Sequence, residues 1–130
     1  MIKYNGIYCC IYKDDKMPVF HNEMFRFYDD GTVISSHIQQ RLYNDDMEYQ
    51  PTGYFPEGNW FCKKFIKEKN LPNGIYQIND NKIEFITKWS TIDIKYDGII
   101  GENSLILNIW SSNGNKQFDK KYVFYLDDEI

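Results

Sequence analysis

The feature that most limits how this chain can fold is an alternation of apolar and polar side chains with a period of two. Between residues 82 and 89 (KIEFITKW), Ile83, Phe85 and Trp89 share one parity, while lysine and glutamate occupy much of the other. Because successive side chains of a β-strand point to opposite faces, this pattern predicts a strand with one buried face and one solvated face. The alternation recurs in four further segments, which span residues 74–80, 91–98, 104–110 and 117–126.

The first half of the chain contains a hairpin signal. Residues 24–28 alternate as a strand, residues 29–31 (DDG) have turn chemistry, and residues 32–38 resume with β-branched side chains. The segment 6–13 (GIYCCIYK) is apolar on both faces, which indicates a central strand. The chain has no alanine and is 18% aromatic, a composition that favours strands over helices.

Together these segments predict an all-β protein made of an antiparallel meander of short strands. A long sheet with one apolar face must curl over or close on itself. We predict closure into a roughly eight-stranded barrel, because closure removes exposed strand edges. No linker or shift in composition marks a boundary, so residues 1–130 are predicted to form a single domain.

One segment departs from the strand pattern. In residues 56–69 (PEGNWFCKKFIKEK), Phe61, Phe65 and Ile66 share one face of a 3.6-residue period, with lysines opposite. With Pro56 near its start and the sequence NLPNG after its end, the segment predicts one short α-helix over about 57–69. The preceding residues, 39–55, are interpreted as another strand followed by a loop.

Charge and hydropathy exclude several classes of partner. The net charge is −4 and the chain has only two arginines, so we predict no nucleic-acid partner, which would require a concentrated basic surface. No stretch approaches the roughly 20 apolar residues of a membrane span, and the N-terminal residues lack the apolar core of a signal peptide. The sequence therefore predicts a cytoplasmic protein with no membrane partner.

Cysteine and histidine residues give no pattern typical of a metal site or a nucleophile. His21 and His37 are interpreted as solvated, because alternation sends His21 and Glu23 to one face without a fixed third ligand. The cysteines lack any CxxC or Cys/His spacing and are predicted to be reduced thiols that act as small buried hydrophobes: Cys9, Cys10 and Cys62. We predict no catalytic residues, no metal and no cofactor, and an enzyme is the least favoured interpretation.

Five sequence motifs follow one another along the chain and together cover most of it. They are the opening GIY at 6–8, the hairpins FRFYDDGTV and GIYQINDNKIEF, the turn YDGIIGENSLIL, and the closing YVFYL. This order resembles that of the small bacterial lipocalin-like domains of the calycin group, although Tyr8 stands where lipocalins typically carry a tryptophan. The resemblance implies a β-barrel architecture and a cavity for a ligand.

The barrel interior is either open to a ligand or filled by side chains. An eight-stranded barrel lies at the boundary between these cases. In the first case the chain binds a small apolar or amphipathic molecule in its lumen, through aromatic residues assigned to inner faces: Phe25, Phe27, Phe85, Trp89, Tyr96, Tyr122 and Phe124. Phe118 is assigned to the same inner face as Tyr122.

In the second case the filled barrel is a protein interaction module, either a homodimer or a small acidic protein that binds a partner. Its surface would include outward apolar residues of the last two strands: Ile106, Trp110, Val123 and Tyr125. The predicted helix could instead cover this patch. Alternation also places Tyr8 and Arg26 on the outside, and a bulge at the first hairpin would turn Arg26 inward as an anchor for a carboxylate.

Overall fold

The computed structural model describes residues 1–41 and 60–126, with only the backbone described at Arg41. Each strand pairs antiparallel with the next along the chain, and the first pairs with the last, so the sheet closes into a barrel. The all-β class and the eight-stranded closed barrel predicted from the sequence are thus confirmed. The strands are β1 (Gly6–Lys13), β2 (Val19–Phe27), β3 (Thr32–Arg41), β4 (Asn73–Asn79), β5 (Lys82–Trp89), β6 (Ile92–Ile100), β7 (Ser104–Ser111) and β8 (Lys116–Leu126).

An aromatic cluster fills the centre of the barrel. Phe25 packs against the rings of Tyr122, Tyr96 and Phe85 with centroids 4.9, 5.0 and 5.3 Å away, and Phe27 lies 6.2 Å away. All five rings are buried, and the aliphatic chains of the facing strands complete the cluster. The centre of the barrel is therefore a packed core rather than a channel.

A second apolar cluster lies on the outside of β1, β2 and β3. The chain from residue 60 to residue 72, here called the cover segment, buries Phe61 and Leu71 against this outer surface. The strand residues beneath them are Ile7, Cys9, Met24 and Ile34. This packing explains why β1 is apolar on both faces. One face contacts the barrel interior and the other contacts the cover segment.

Arg26 fastens the cover segment to the barrel. Its side chain is 1% exposed, its Nε–H donates to the Phe61 carbonyl oxygen at 2.9 Å, and its guanidinium lies 5.9 Å from the centroid of the Phe61 ring. The β2 and β3 strands pair without interruption from Val19 to Phe27. Arg26 accordingly stays on the outer face that alternation predicts, and the alternative of a bulge that turns it inward is wrong.

The predicted α-helix over about 57–69 is wrong for the residues that the structure describes. Residues 60–69 contain a single 3-10 turn, Lys63–Phe65, and Cys62 before it is extended; residues 57–59 lie outside the described part of the chain. The Phe61 carbonyl accepts from Arg26, and the Phe65 N–H donates to the Cys62 carbonyl three residues back at 3.0 Å, which closes a 3-10 turn. Across the described ranges, no helix has the length and apolarity that a membrane crossing requires.

A register shift in β8 changes which of its side chains face the interior. Leu107 pairs with Lys120 and Ile109 pairs with Gln117, so β8 has one extra residue between these pairs. Asp119 takes a positive φ of 57°, and its N–H donates to Asn108 Oδ1 at 3.1 Å. The bulge brings Gln117 onto the inner face, where Lys120 already lies because it pairs with Leu107 and has the parity of Tyr122.

The same bulge places Phe118 outside, contrary to the sequence prediction. Its side chain is 60% exposed and contacts the edge of Trp110 with ring centroids 5.8 Å apart. The outward assignment of Tyr8 is also wrong. Tyr8 pairs with Phe25 and Phe124 on the neighbouring strands and is fully buried among the inner rings.

The barrel wall separates between β3 and β4. These strands pair only through Thr32, Val33 and Ile34, after which the Ser35 N–H donates to the Pro72 carbonyl at 2.9 Å. Residues 35–41 of β3 continue alongside β2 alone within the described chain. Of the stretch interpreted as a strand plus loop, residues 39–41 belong to β3, and 42–55 lie outside the described residues.

Candidate functional site

A cleft of about 820 Å³ occupies the place where β3 leaves β4, and it is called the seam cleft below. Its walls come from β2, β3, the cover segment, the end of β5 and the start of β6. Clefts that hold small molecules typically measure about 300–1,000 Å³. The seam cleft is therefore large enough for a small ligand, although the centre of the barrel is filled.

Aromatic rings form the apolar part of the seam cleft. Phe25 and Tyr96 contribute from the inner wall, and Trp60 and Trp89 contribute from the cover segment and from the end of β5. Phe85 stacks on Tyr96 with ring centroids 4.7 Å apart and an angle of 19° between the planes. The packed core thus supports the inner wall of the cleft and holds its rings in fixed positions.

A chain of hydrogen bonds connects Asp14, His21 and His37 at the polar side of the cleft. His21 Nε2 lies 2.7 Å from Asp14 Oδ2, and His21 Nδ1 lies 2.8 Å from His37 Nε2. The hydrogen bonds from His21 and from two backbone N–H groups lower the pKa of Asp14 to about 2. Asp14 is therefore an anion near neutral pH and can only accept hydrogen bonds.

The direction of this chain follows from the charge on Asp14. Because Asp14 accepts, His21 carries its proton on Nε2, and a neutral His21 then accepts at Nδ1. His37 must donate from Nε2, so its Nδ1 is left as an acceptor. The loss of water around His37 lowers its pKa below the usual value near 6.5, and its nearest charged or titratable neighbours are Glu23, His21 and Lys120.

Glu23 and Lys120 form an ion pair beside the histidines. Lys120 Nζ donates to Glu23 Oε2 and, at 3.0 Å, to Gln117 Oε1, and it lies 5.0 Å from the centroid of the Tyr12 ring. The side chains of Lys120 and Glu23 are 15% and 22% exposed. Glu23 also borders the seam cleft, so it can meet a molecule bound there.

The hydroxyl of Tyr122 lies between the packed core and this polar group. It is buried and has no hydrogen-bond partner within the described residues. Burial, together with the nearby Glu23 carboxylate, raises the pKa of Tyr122 well above its usual value near 10. Tyr122 is thus a neutral donor with an unused hydrogen bond.

The seven residues that the sequence assigned to ligand contact fall into two groups in the structure. Phe25, Tyr96 and Trp89 border the seam cleft, but Trp89 is 53% exposed at the end of β5 and does not belong to the interior. Four lie in or against the packed core, away from the cleft walls: Phe27, Phe85, Tyr122 and Phe124. Contact with a ligand stays a prediction for all seven.

Sequence reasoning missed the polar residues of the site. His21 is 7% exposed and belongs to β2, where the sequence interpretation made it a solvated residue. The signal was present, because His21 and Glu23 have the same parity as Phe25 and Phe27 on one strand. Lys120 likewise has the parity of Tyr122.

The site combines rigid aromatic walls with acceptors and one ion pair, an arrangement suited to holding a molecule. Among the side chains in the described ranges, no group of three or more histidine, cysteine, aspartate or glutamate residues could hold a metal ion. Comparisons with models of protein families, with curated proteins and with solved structures gave no match to this chain.

Proposed function

We propose that the chain binds a small amphipathic molecule in the seam cleft. The apolar part of the ligand packs against Phe25, Tyr96 and Trp89, and its polar part meets Glu23 and His37. The proposal includes membership of the lipocalin-like calycin group, which the eight-stranded closed antiparallel barrel is consistent with. It differs from binding deep in a barrel lumen, because aromatic side chains fill the centre of this barrel.

One observation carries the proposal. The seam cleft has the volume of a small-molecule site and joins preformed aromatic walls to a few convergent polar groups. Aromatic rings provide large contact areas with little conformational entropy to lose, since they already pack on the core. A ligand would therefore find the apolar part of the site already ordered.

Binding can be tested with N-phenyl-1-naphthylamine, an uncharged dye whose fluorescence rises in apolar surroundings. We expect saturable binding at one site per chain and a loss of at least about tenfold in affinity for the variant Ile94→Trp, because the larger ring fills the cleft. Ile94 is half-buried on β6 and borders the seam cleft. Fluorescence titration at constant protein concentration measures both affinities.

Ile86→Trp is the matched control. Ile86 is 48% exposed on the outside of β5, away from the seam cleft, so this variant should bind the dye like the original chain. Circular dichroism and thermal unfolding establish that both variants are folded. The proposal fails if the original chain binds no dye, or if Ile86→Trp weakens binding as much as Ile94→Trp.

A second candidate function is a protein interaction through the outside of β6, β7 and β8. Ile99 and Ile106 are direct cross-strand partners, 50% and 41% exposed, and Val123 on β8 is 38% exposed. The cover segment packs over β1, β2 and β3, with Tyr125 at the margin of its cluster. The expectation that Phe61, Phe65 and Ile66 would cover the patch on the last strands is therefore met only at Tyr125.

Self-association through this surface can be measured by light scattering over a range of protein concentrations. If the surface joins two copies of the chain, the mass should rise toward that of a dimer, and Ile106→Glu should restore a monomer. Burying a charge in the centre of an apolar interface costs roughly several kcal/mol of association free energy. A mass that stays monomeric at the highest concentration argues against the homodimer.

A further inference from the structure

We propose that the ligand of the seam cleft carries a cationic amine, and that Glu23 and His37 select it by accepting its hydrogen bonds. This inference rests on the proposed function and adds the chemical class of the ligand. The carboxylate of Glu23 and the ring of His37 both border the cleft. The amine would lie beside them while its apolar body contacts the aromatic wall.

Asp14 gives His37 the role of an acceptor. The anionic Asp14 holds the proton of His21 on Nε2, at 2.7 Å, and His21 Nδ1 therefore receives the proton of His37 Nε2 at 2.8 Å. His37 Nδ1 is left with a lone pair near neutral pH. His37 is exposed at the cleft, so a donor on a bound molecule can reach the ring.

Glu23 adds a negative charge and keeps hydrogen-bond acceptor positions that Lys120 does not fill. Lys120 Nζ donates to Oε2 of Glu23 and the Tyr12 hydroxyl is also hydrogen-bonded to this carboxylate, which offers roughly four acceptor positions over its two oxygens. The charges of Asp14, Glu23 and Lys120 sum to −1 at the histidine side of the cleft, while the cation Lys69 borders the cleft from the exposed part of the cover segment. The field at this side of the cleft thus favours a cation over an anion.

Aromatic rings strengthen the preference for a cation. Trp60, Trp89 and Tyr96 border the same cleft as Glu23. The face of an aromatic ring attracts a cation, most strongly for tryptophan, and the attraction grows when the cation loses water. A carboxylate ligand would meet the negative faces of these rings and the acceptors Glu23 and His37, and would have to compete with water for the exposed ammonium of Lys69.

The test compares three probes with one aromatic body: phenethylamine, 2-phenylethanol and phenylacetate. Isothermal titration calorimetry near pH 7.5 measures each affinity. We expect the amine to bind about tenfold more tightly than the alcohol, and the carboxylate to bind most weakly. All three should compete with N-phenyl-1-naphthylamine for the cleft.

Two variants of the ion pair separate charge from shape. Glu23→Gln keeps the size of the side chain but removes its charge, so the advantage of the amine over the alcohol should shrink and phenylacetate should gain. Lys120→Met removes the opposing charge and should increase that advantage. The affinity for the alcohol should be the same in both variants as in the original chain if the aromatic wall is intact. Thermal unfolding shows that each variant is folded.

A pH series gives an independent readout. As the pH falls, His37 takes up a proton, although the loss of water around it lowers its pKa below the usual value near 6.5; the charged or titratable groups that face it are Glu23, His21 and Lys120. His37 then loses its acceptor and gains positive charge. The affinity for phenethylamine should fall between about pH 7.5 and about pH 5, while that for 2-phenylethanol stays constant.

The outcomes distinguish this inference from the function on which it rests. Equal affinities for the three probes, or an unchanged advantage of the amine in Glu23→Gln, would overturn the selection of an amine and leave binding in the seam cleft standing. Tighter binding of phenylacetate than of phenethylamine would also overturn it. If neither these probes nor the dye bind the folded protein, the proposed function itself fails.

Discussion

Replacing Phe25 by alanine is expected to lower the free energy of unfolding by about 3–5 kcal/mol. Phe25 is 2% exposed and contacts four other inner rings, so the substitution leaves a cavity that the surrounding barrel cannot collapse to fill. Small domains have a total stability of roughly 5–15 kcal/mol, which makes this a large share. Urea denaturation followed by fluorescence measures the difference.

Phe118→Ala is the matched control, because the sequence assigns both phenylalanines to the inner face. Phe118 is 60% exposed and contacts the edge of Trp110 on the outside of the barrel. Its replacement should cost less than about 1 kcal/mol. Equal losses for the two variants would contradict the register shift in β8 that turns Phe118 outward.

Replacing Gly98 by alanine is expected to destabilise the barrel by at least about 3 kcal/mol. A Cβ atom at this position would lie 1.9 Å from the Ile106 carbonyl oxygen and 2.9 Å from the Leu107 Cα. Both are backbone atoms of the neighbouring strand, so they cannot move aside without separating β6 from β7. Chemical denaturation and thermal unfolding give the size of the loss.

Ile99→Ala provides the comparison for Gly98→Ala on the same strand. Ile99 is 50% exposed and faces outward, so its truncation should change stability by about 1 kcal/mol or less. If Gly98→Ala is as mild as Ile99→Ala, the close approach of β6 and β7 at this position is incorrect. A large loss at Gly98 alone supports the tight curvature that a glycine permits.

The architecture was predictable because alternation is a local property of each strand. Ile83 and Phe85 are buried while Lys82 and Glu84 are exposed, as their parity indicates. Residue parity and turn chemistry fix the faces of a strand without knowledge of its neighbours. The closed meander follows, because eight such strands share one apolar side.

The errors arise where a contact between distant parts of the chain decides the local structure. The helix expected over about 57–69 was predicted from residue spacing alone. In the structure, the Phe61 carbonyl accepts a hydrogen bond from Arg26, which lies 35 residues earlier in the chain. The bulge in β8 is similar, since Asn108 on β7 satisfies the N–H of Asp119. Neither partner can be identified from the segment itself.

The candidate site was predictable only where the alternation of side chains determines it. Alternation assigns Phe25 and Tyr96 to the inner face, and both border the seam cleft. The position of the cleft depends on where β3 stops pairing with β4, after Ile34, and no residue pattern marks that point. The hydrogen bonds from Asp14 to His37 likewise join a loop to two strands.

The extra residue in β8 has a consequence for how such proteins diversify. By lengthening one strand by a single position, the chain exchanges the ring of Phe118 for the amide of Gln117 at the rim of its interior. No inward side chain has to be substituted for this exchange. Insertions and deletions within a barrel strand can therefore alter ligand preference as effectively as point mutations in the binding site.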